Sequence, residues 1–190
     1  MKNGRQIMTR FFDIFFSLIA LISLSPLLAI IFFIGLFDTG SPLFHQERLG
    51  HNEKPFTLVK FRTMHKDTES VASHLANKSS ITPFGHFLRK TKLDELPQLW
   101  NVLWGDMSLV GPRPNLFNQK ELIHARRALN VYSNRPGITG LAQIKNIDMS
   151  TPDLLAKTDA EMLSTMSLAN WFKYIFLTIC GKGHGDRVRR

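Results

Sequence analysis

The sequence predicts a chain of the α/β class, with an apolar helical hairpin leading into short strands and helices. Three observations predict it. An apolar run, FFDIFFSLIALISLSPLLAIIFFIGLF from Phe11 to Phe37, is interrupted in its middle by Ser25-Pro26. The stretch FTLVKF, Phe56 to Phe61, alternates apolar and polar residues as a half-buried strand does. ELPQLWNVLW, Glu95 to Trp104, sets Leu96, Leu99, Trp100, Leu103 and Trp104 at helical spacing.

The N-terminal run is the first element. As one straight helix it would reach roughly 40 Å, enough to cross a bilayer. Pro26 removes a backbone donor and clashes with the preceding turn, so a kink is expected, with Ser23 or Ser25 covering the freed carbonyl. Charge decides between crossing and returning. Lys2, Arg5 and Arg10 precede the run, and Arg48, Lys54, Lys60 and Arg62 follow it; both flanks prefer the cytoplasmic side. A re-entrant hairpin over residues 1–40, entering and leaving on one face around Ser25-Pro26, satisfies both. A cleaved leader fits badly, because the apolar stretch is too long and no A-x-A-like site follows. Asp13 is expected at the interface, paired with Arg10.

Residues 41–190 form one further unit. After a turn at Asp38–Pro42, SPLFHQERLG and KPFTLVKFRTM read as short strands. DTESVASHLANKSS, Asp67 to Ser80, is polar and reads as a loop with some helix. Thr82-Pro83 makes a helix start, with Thr82 as N-cap. A second helix follows, with Asp94 at or near its N-cap, Pro97 in its first turn and Gly105 as its stop. NWFKYIFLTIC, Asn170 to Cys180, is aromatic-rich and suits either a helix at headgroup level or a core helix. The ending GKGHGDRVRR lacks phosphate-loop spacing and reads as a flexible basic tail able to touch anionic lipid.

The 190 residues carry a formal net charge of +9, so an anionic partner is expected. Nucleic acid is disfavoured, because the basic residues lie beside acids and turns with no recognised binding module. The single cysteine, Cys180, excludes an internal disulfide, and no His/Cys spacing suits zinc. Within this basic chain Asp94 and Glu95 stand side by side, close to Arg89, Lys90 and Lys92. Two readings stay open for the acids: helix capping, or chemistry on a phosphate held at the helix start. For the three cations a solvated face is expected of at least one. GPRP, Gly111 to Pro114, and NRPGITG, Asn134 to Gly140, each fix the backbone around an arginine, Arg113 and Arg135, as rigid anion-binding turns would.

Together, KFRTM (Lys60 to Met64), LDELPQLWNVLWGDMSLVGPRP (Leu93 to Pro114) and RPGITGLAQ (Arg135 to Gln143) resemble the bacterial sugar transferases known as monotopic phosphoglycosyl transferases. The resemblance covers nearly the whole chain, including the apolar hairpin with its Ser-Pro kink. It implies an α/β fold, mostly helical with a short sheet, whose catalytic domain (residues 41–190) rests on the cytoplasmic face of the bacterial inner membrane through the hairpin and interfacial helices. It implies transfer of a sugar phosphate from a UDP-sugar to undecaprenyl phosphate with release of UMP, the first membrane step of a glycoconjugate pathway that downstream glycosyltransferases continue. A phosphosugar on Asp94, Glu95 as its partner acid, and Mg2+ held by Asp94 and Glu95 belong to the same implication. So does a set of phosphate-binding cations, Lys60, Arg62, Arg89, Arg113 and Arg135. Met162 stands where the family pattern often has a tyrosine, and Asp186 and Arg187 match the ending of some members. Direct single-step transfer, with the acids as metal ligand and base, and a non-enzymatic membrane-anchored scaffold are the alternatives.

Overall fold

The computed structural model describes residues 2–68 and 78–183, with the side chains of residues 2–7 and 78 excepted. The loop expected over 67–80 therefore lies mostly outside the described residues, as do Asp186, Arg187 and the rest of the basic tail. Two apolar helices come first, α1 (Lys2–Ser23) and α2 (Ser25–Thr39). They are bent by 64° at the break between them, and among the described residues no single helix is long and apolar enough to cross a membrane. The break has the expected cause. The carbonyl that Pro26 cannot serve belongs to Ile22, and the Ser25 hydroxyl donates to it at 2.8 Å.

α2 is not apolar for lipid alone. Its Ile31 packs with Phe61 and Leu88, and Leu27 and Leu28 lie against the same cluster. Asp13 of α1 is likewise buried, 2 % exposed. Its Oδ1 accepts the Leu109 N–H at 3.0 Å, so the interfacial placement expected for it is corrected: a carboxylate this deep serves a backbone donor of the domain. Arg10 places its hydrogen bonds elsewhere, as described below, and its charge still attracts the Asp13 carboxylate.

β1 (Leu43–Leu49) and β2 (Pro55–Phe61) form an antiparallel hairpin, with Phe44 opposite Lys60, Gln46 opposite Leu58 and Arg48 opposite Phe56. Period-two geometry therefore puts Gln46, Arg48, Phe56, Leu58 and Lys60 on one face, and all five are buried. Phe56 and Leu58 pack there with Val102 and Met107. α3 (Pro83–Thr91) starts at Thr82, whose hydroxyl accepts from the Gly85 N–H at 2.9 Å. α4 (Gln98–Trp104) ends at Gly105. Trp100 and Trp104, which share the helical spacing of the leucines, point outward, 52 % and 81 % exposed.

A second strand pair, β3 (Ser108–Val110) and β4 (Gly137–Thr139), is parallel and separate from the first. The short sheet is thus two two-stranded pieces. The backbones approach so closely at one end that a Cβ on Gly137 would sit 1.9 Å from the Gly111 nitrogen, which only glycine permits. The remaining helices are α5 (Lys120–Ala128), α6 (Leu141–Ile144), α7 (Pro152–Ser164) and α8 (Leu168–Ile179). α8 is a core helix on one face, where Trp171 and Tyr174 join Val110 and Met162; on its other face Phe172, Phe176 and Ile179 are exposed.

Candidate active site

Asp94 and Glu95 lie in a 3-10 turn, Leu93–Glu95, that runs between α3 and α4. This corrects the capping assignment. The residue flanking α4 is Pro97, in helical conformation and without a side-chain cap, because the 3-10 turn continues almost directly into the helix and leaves no extended position for a capping carboxylate. Both acids are instead buried, 2 % and 8 % exposed. Carboxylates at such depth need hydrogen-bond donors or charged partners.

The partner of Glu95 comes from the GPRP turn. Arg113 Nη2 lies 2.8 Å from Glu95 Oε1, joining the two ends of the motif Leu93 to Pro114. Beside this pair opens a small cleft lined by Arg48, Lys60, Gln98, Arg113, Pro114 and Ile138, among others. Lys60 reaches it because it shares the inward phase of Phe56 and Leu58 on β2, and its ammonium lies 5.7 Å over the Phe44 ring. The cleft therefore carries three cationic side chains, Arg48, Lys60 and Arg113, and Arg113 connects it to Glu95.

The five expected phosphate-binding cations divide. Lys60 and Arg113 line the cleft. Arg89 donates to the Thr63 hydroxyl at 2.9 Å, bracing the end of KFRT against α3. Arg62 does not line the cleft: its Nε donates to the Ser41 carbonyl at 2.9 Å, and its guanidinium lies 5.3 Å from the same Phe44 ring. Arg135 does not line it either. Its Nε donates to the Gly105 carbonyl at 2.7 Å, at the opposite end of α4 from the acids. Arg10 caps the same end through the Val102 and Leu103 carbonyls at 2.6 and 2.9 Å, where cations complement the helix dipole. α4 is also tied sideways: Asn101 donates to the Thr57 carbonyl at 2.7 Å and accepts the Val59 N–H at 3.1 Å along the free edge of β2.

Two groups at this site escaped the sequence reading. Arg48 had served only as a charge flanking the hairpin, yet it donates from Nη1 to the Pro114 carbonyl at 3.0 Å and from Nε to Gln46 Oε1 at 3.0 Å. Its inward strand phase was the available signal. The second is a buried hub. Arg126 donates to Asp159 Oδ2 from Nε at 3.0 Å and Nη2 at 2.7 Å, and from Nη1 to the Arg113 carbonyl and Asn115 Oδ1 at 2.8 and 2.9 Å. Both members of the ion pair are at most 1 % exposed. Burial pushes the Asp159 carboxyl up from its ordinary value while Arg126 pulls it down, and Asp159 Oδ1 has no partner. This hub holds the backbone that presents Arg113. Nothing local in the sequence marks it, since its two charges are 33 residues apart.

Among the described residues no group of three or more His, Cys, Asp and Glu is set to hold a metal. The Asp94 and Glu95 pair suits magnesium, which takes one or two carboxylates and completes its shell with water and substrate phosphates.

The chain belongs to the bacterial sugar transferase family, whose model matches residues 4–182. It is 40 % identical over 183 residues to an exopolysaccharide production protein of Rhizobium leguminosarum bv. phaseoli, covering 89 % of this chain and 88 % of that one. It is 34 % identical to a UDP-galactose-lipid carrier transferase of Erwinia amylovora, over 94 % of this chain and 41 % of that protein. An undecaprenyl-phosphate glucose phosphotransferase of Komagataeibacter xylinus is 38 % identical over 90 % of this chain, which spans 35 % of that relative. The chain thus spans well under half the length of two of these three relatives.

Proposed function

We propose that this protein moves a sugar 1-phosphate from a UDP-sugar to undecaprenyl phosphate, releasing UMP, with Asp94 as nucleophile. The observation that carries this reading is the Glu95–Arg113 ion pair at the edge of a cleft walled by Arg48 and Lys60: buried acids beside an excess of cations suit a dianionic diphosphate. The names of the relatives from Komagataeibacter and Erwinia support the same lipid and nucleotide chemistry.

In the first step an Asp94 carboxylate oxygen attacks the phosphorus that bears the sugar. The bond from that phosphorus to the UMP oxygen breaks, and UMP leaves with the electron pair. Lys60, Arg48 and Arg113 offset the charge that would otherwise keep a carboxylate from a diphosphate. In the second step an oxygen of the lipid phosphate attacks the same phosphorus and Asp94 is released as carboxylate. Glu95, fixed by Arg113, holds its place beside Asp94. Magnesium bound at the two acids would supply further charge neutralisation at the diphosphate.

The bent α1–α2 pair supports a re-entrant seat in the cytoplasmic face of the bacterial inner membrane. Phe11, Ile22, Phe33 and Phe37 are 63, 66, 61 and 92 % exposed, an apolar surface too large for water contact alone. Met8→Cys and Ser41→Cys, each in a Cys180→Ser background, should both be shielded from a membrane-impermeant reagent in intact cells. Labelling at one end only would show a crossing helix.

The chemistry is tested by incubating the protein with Mg2+ and UDP-sugars labelled in the sugar, without lipid acceptor. The expected result is stoichiometric UMP, label on a peptide containing Asp94, its removal by hydroxylamine, and exchange of labelled UMP into the donor. UMP release that needs the acceptor, without exchange, would favour direct transfer. No UMP from any donor with folded protein would leave the scaffold reading.

A further inference from the structure

Gln98 opens α4 directly after Pro97, one helical turn beyond the acids. It is 4 % exposed and lines the cleft beside Arg48, Lys60 and Arg113. Side chains on a helix lean toward its N-terminus, which here is the acid turn. Two neighbouring buried amides are fully engaged. Gln46 Oε1 accepts from Arg48 Nε at 3.0 Å, and Asn101 uses both ends of its amide on the backbone of β2. The Gln98 amide, by contrast, has no hydrogen-bond partner among the described residues. It is not sealed in as the orphaned Asp159 Oδ1 is; the little surface it keeps is cleft surface.

A primary amide offers two N–H donors and an acceptor oxygen, and leaving them unmade at such depth is unfavourable. The other polar side chains lining the cleft are cations, which can only donate. Among the described residues that line it, Gln98 therefore carries the one side-chain acceptor, and the Pro114 carbonyl already accepts from Arg48. A diphosphate held by the cations brings acceptors and leaves Oε1 unmatched. What Oε1 fits is a donor carried beside the phosphates. Past the phosphorus at the acid turn, the first such group is the O–H, or the N–H of an amino sugar, at sugar C2, next to the anomeric carbon; the uridine lies beyond the second phosphate. We propose that Gln98 is a sugar-binding residue whose Oε1 accepts this hydrogen bond from C2 of the donor sugar. The proposal rests on the reading of the cleft as the place where a UDP-sugar reacts. It makes Gln98 a selector of donors that carry a hydrogen-bond donor at C2.

The test measures binding to full-length Asp94→Asn protein with Mg2+, so that no sugar phosphate is transferred meanwhile. The probes are UDP, UDP-glucose, UDP-galactose and the 2-deoxy form of each sugar nucleotide. A 2-deoxy donor should bind about tenfold more weakly than its parent. Adding Gln98→Met should weaken the parent about tenfold and leave its 2-deoxy form and UDP within about twofold, since the lost group then has no partner on one side. The melting temperature should hold or rise, because the amide it removes has no partner in the protein. Gln98→Leu is a second apolar replacement expected to behave alike. Equal binding of parent and 2-deoxy donors, or an equal loss for UDP and the sugar nucleotides in the Gln98 variants, overturns the proposal and leaves the UDP-sugar reading intact. Binding of no probe by wild type or the Asp94→Asn protein overturns both.

Discussion

The two arginine turns are nearly twins in sequence and opposites in use. GPRP and NRPG each lock the backbone beside an arginine, and their backbones touch where Gly111 meets Gly137. Arg113 nevertheless reaches Glu95 at the cleft, whereas Arg135 reaches the Gly105 carbonyl at the far end of α4. Prolines restrict φ and the residue before them, but they do not set where a six-bond side chain ends. What sets it is the acceptor that the neighbouring elements bring: a carboxylate at one end of the acid turn and α4, an open helix end at the other. A rigid arginine turn is therefore a pedestal, and its role is decided by what stands opposite.

That contrast can be broken at the acid side first, where the effect should be largest. Asp94→Asn removes the proposed nucleophile and should lower turnover by about three powers of ten or more, with a normal melting curve. Initial rates of UMP release measure it; retention of a tenth of wild-type turnover would make Asp94 a ligand and not a nucleophile. Chelating magnesium should abolish the same rate, and calcium should restore it poorly because it accepts looser geometry; undiminished activity in excess chelator would remove the metal from the scheme.

Arg113→Lys keeps the charge but loses the planar fork, so kcat/KM should fall about a hundredfold while thermal stability stays near wild type. Near-wild-type kinetics would mean that Arg113 only shapes its turn. Asp159→Asn attacks the pedestal itself. It leaves Arg126 buried without its countercharge, and chemical denaturation should show a loss of about 3–5 kcal/mol; a loss under 1 kcal/mol would show that Arg126 does not depend on the pair. Arg135→Lys is the smallest. It weakens one helix-end contact worth about 1 kcal/mol, or about 2–4 °C in melting temperature, and should leave kcat/KM within about threefold. A large kinetic loss there without destabilisation would return Arg135 to the phosphate site.

Much of the architecture was legible because its signals are local. Pro26 with Ser25, the alternation of FTLVKF, the Thr82 cap and the Gly105 stop all act within four or five residues, and each stands where the periodicity put it. The acid turn was misread by one kind of local rule. Acids before a helix suggest a cap, but here the chain stays in a 3-10 turn, and burial against β2 and α3 holds the carboxylates instead.

The sequence by itself determined the family, the kinked apolar hairpin, the short strands and the side-by-side acids, since three ordered motifs and short-range backbone preferences suffice for these. Only the tertiary structure decided that Arg48 and Lys60 share a cleft with Arg113, that Arg62 and Arg135 do not, and that Arg126 and Asp159 underpin the Arg113 turn. The physical reason is range: a guanidinium is satisfied by whichever carboxylate or carbonyl packing brings within about 3 Å, and between Arg126 and Asp159 that proximity spans 33 residues of chain.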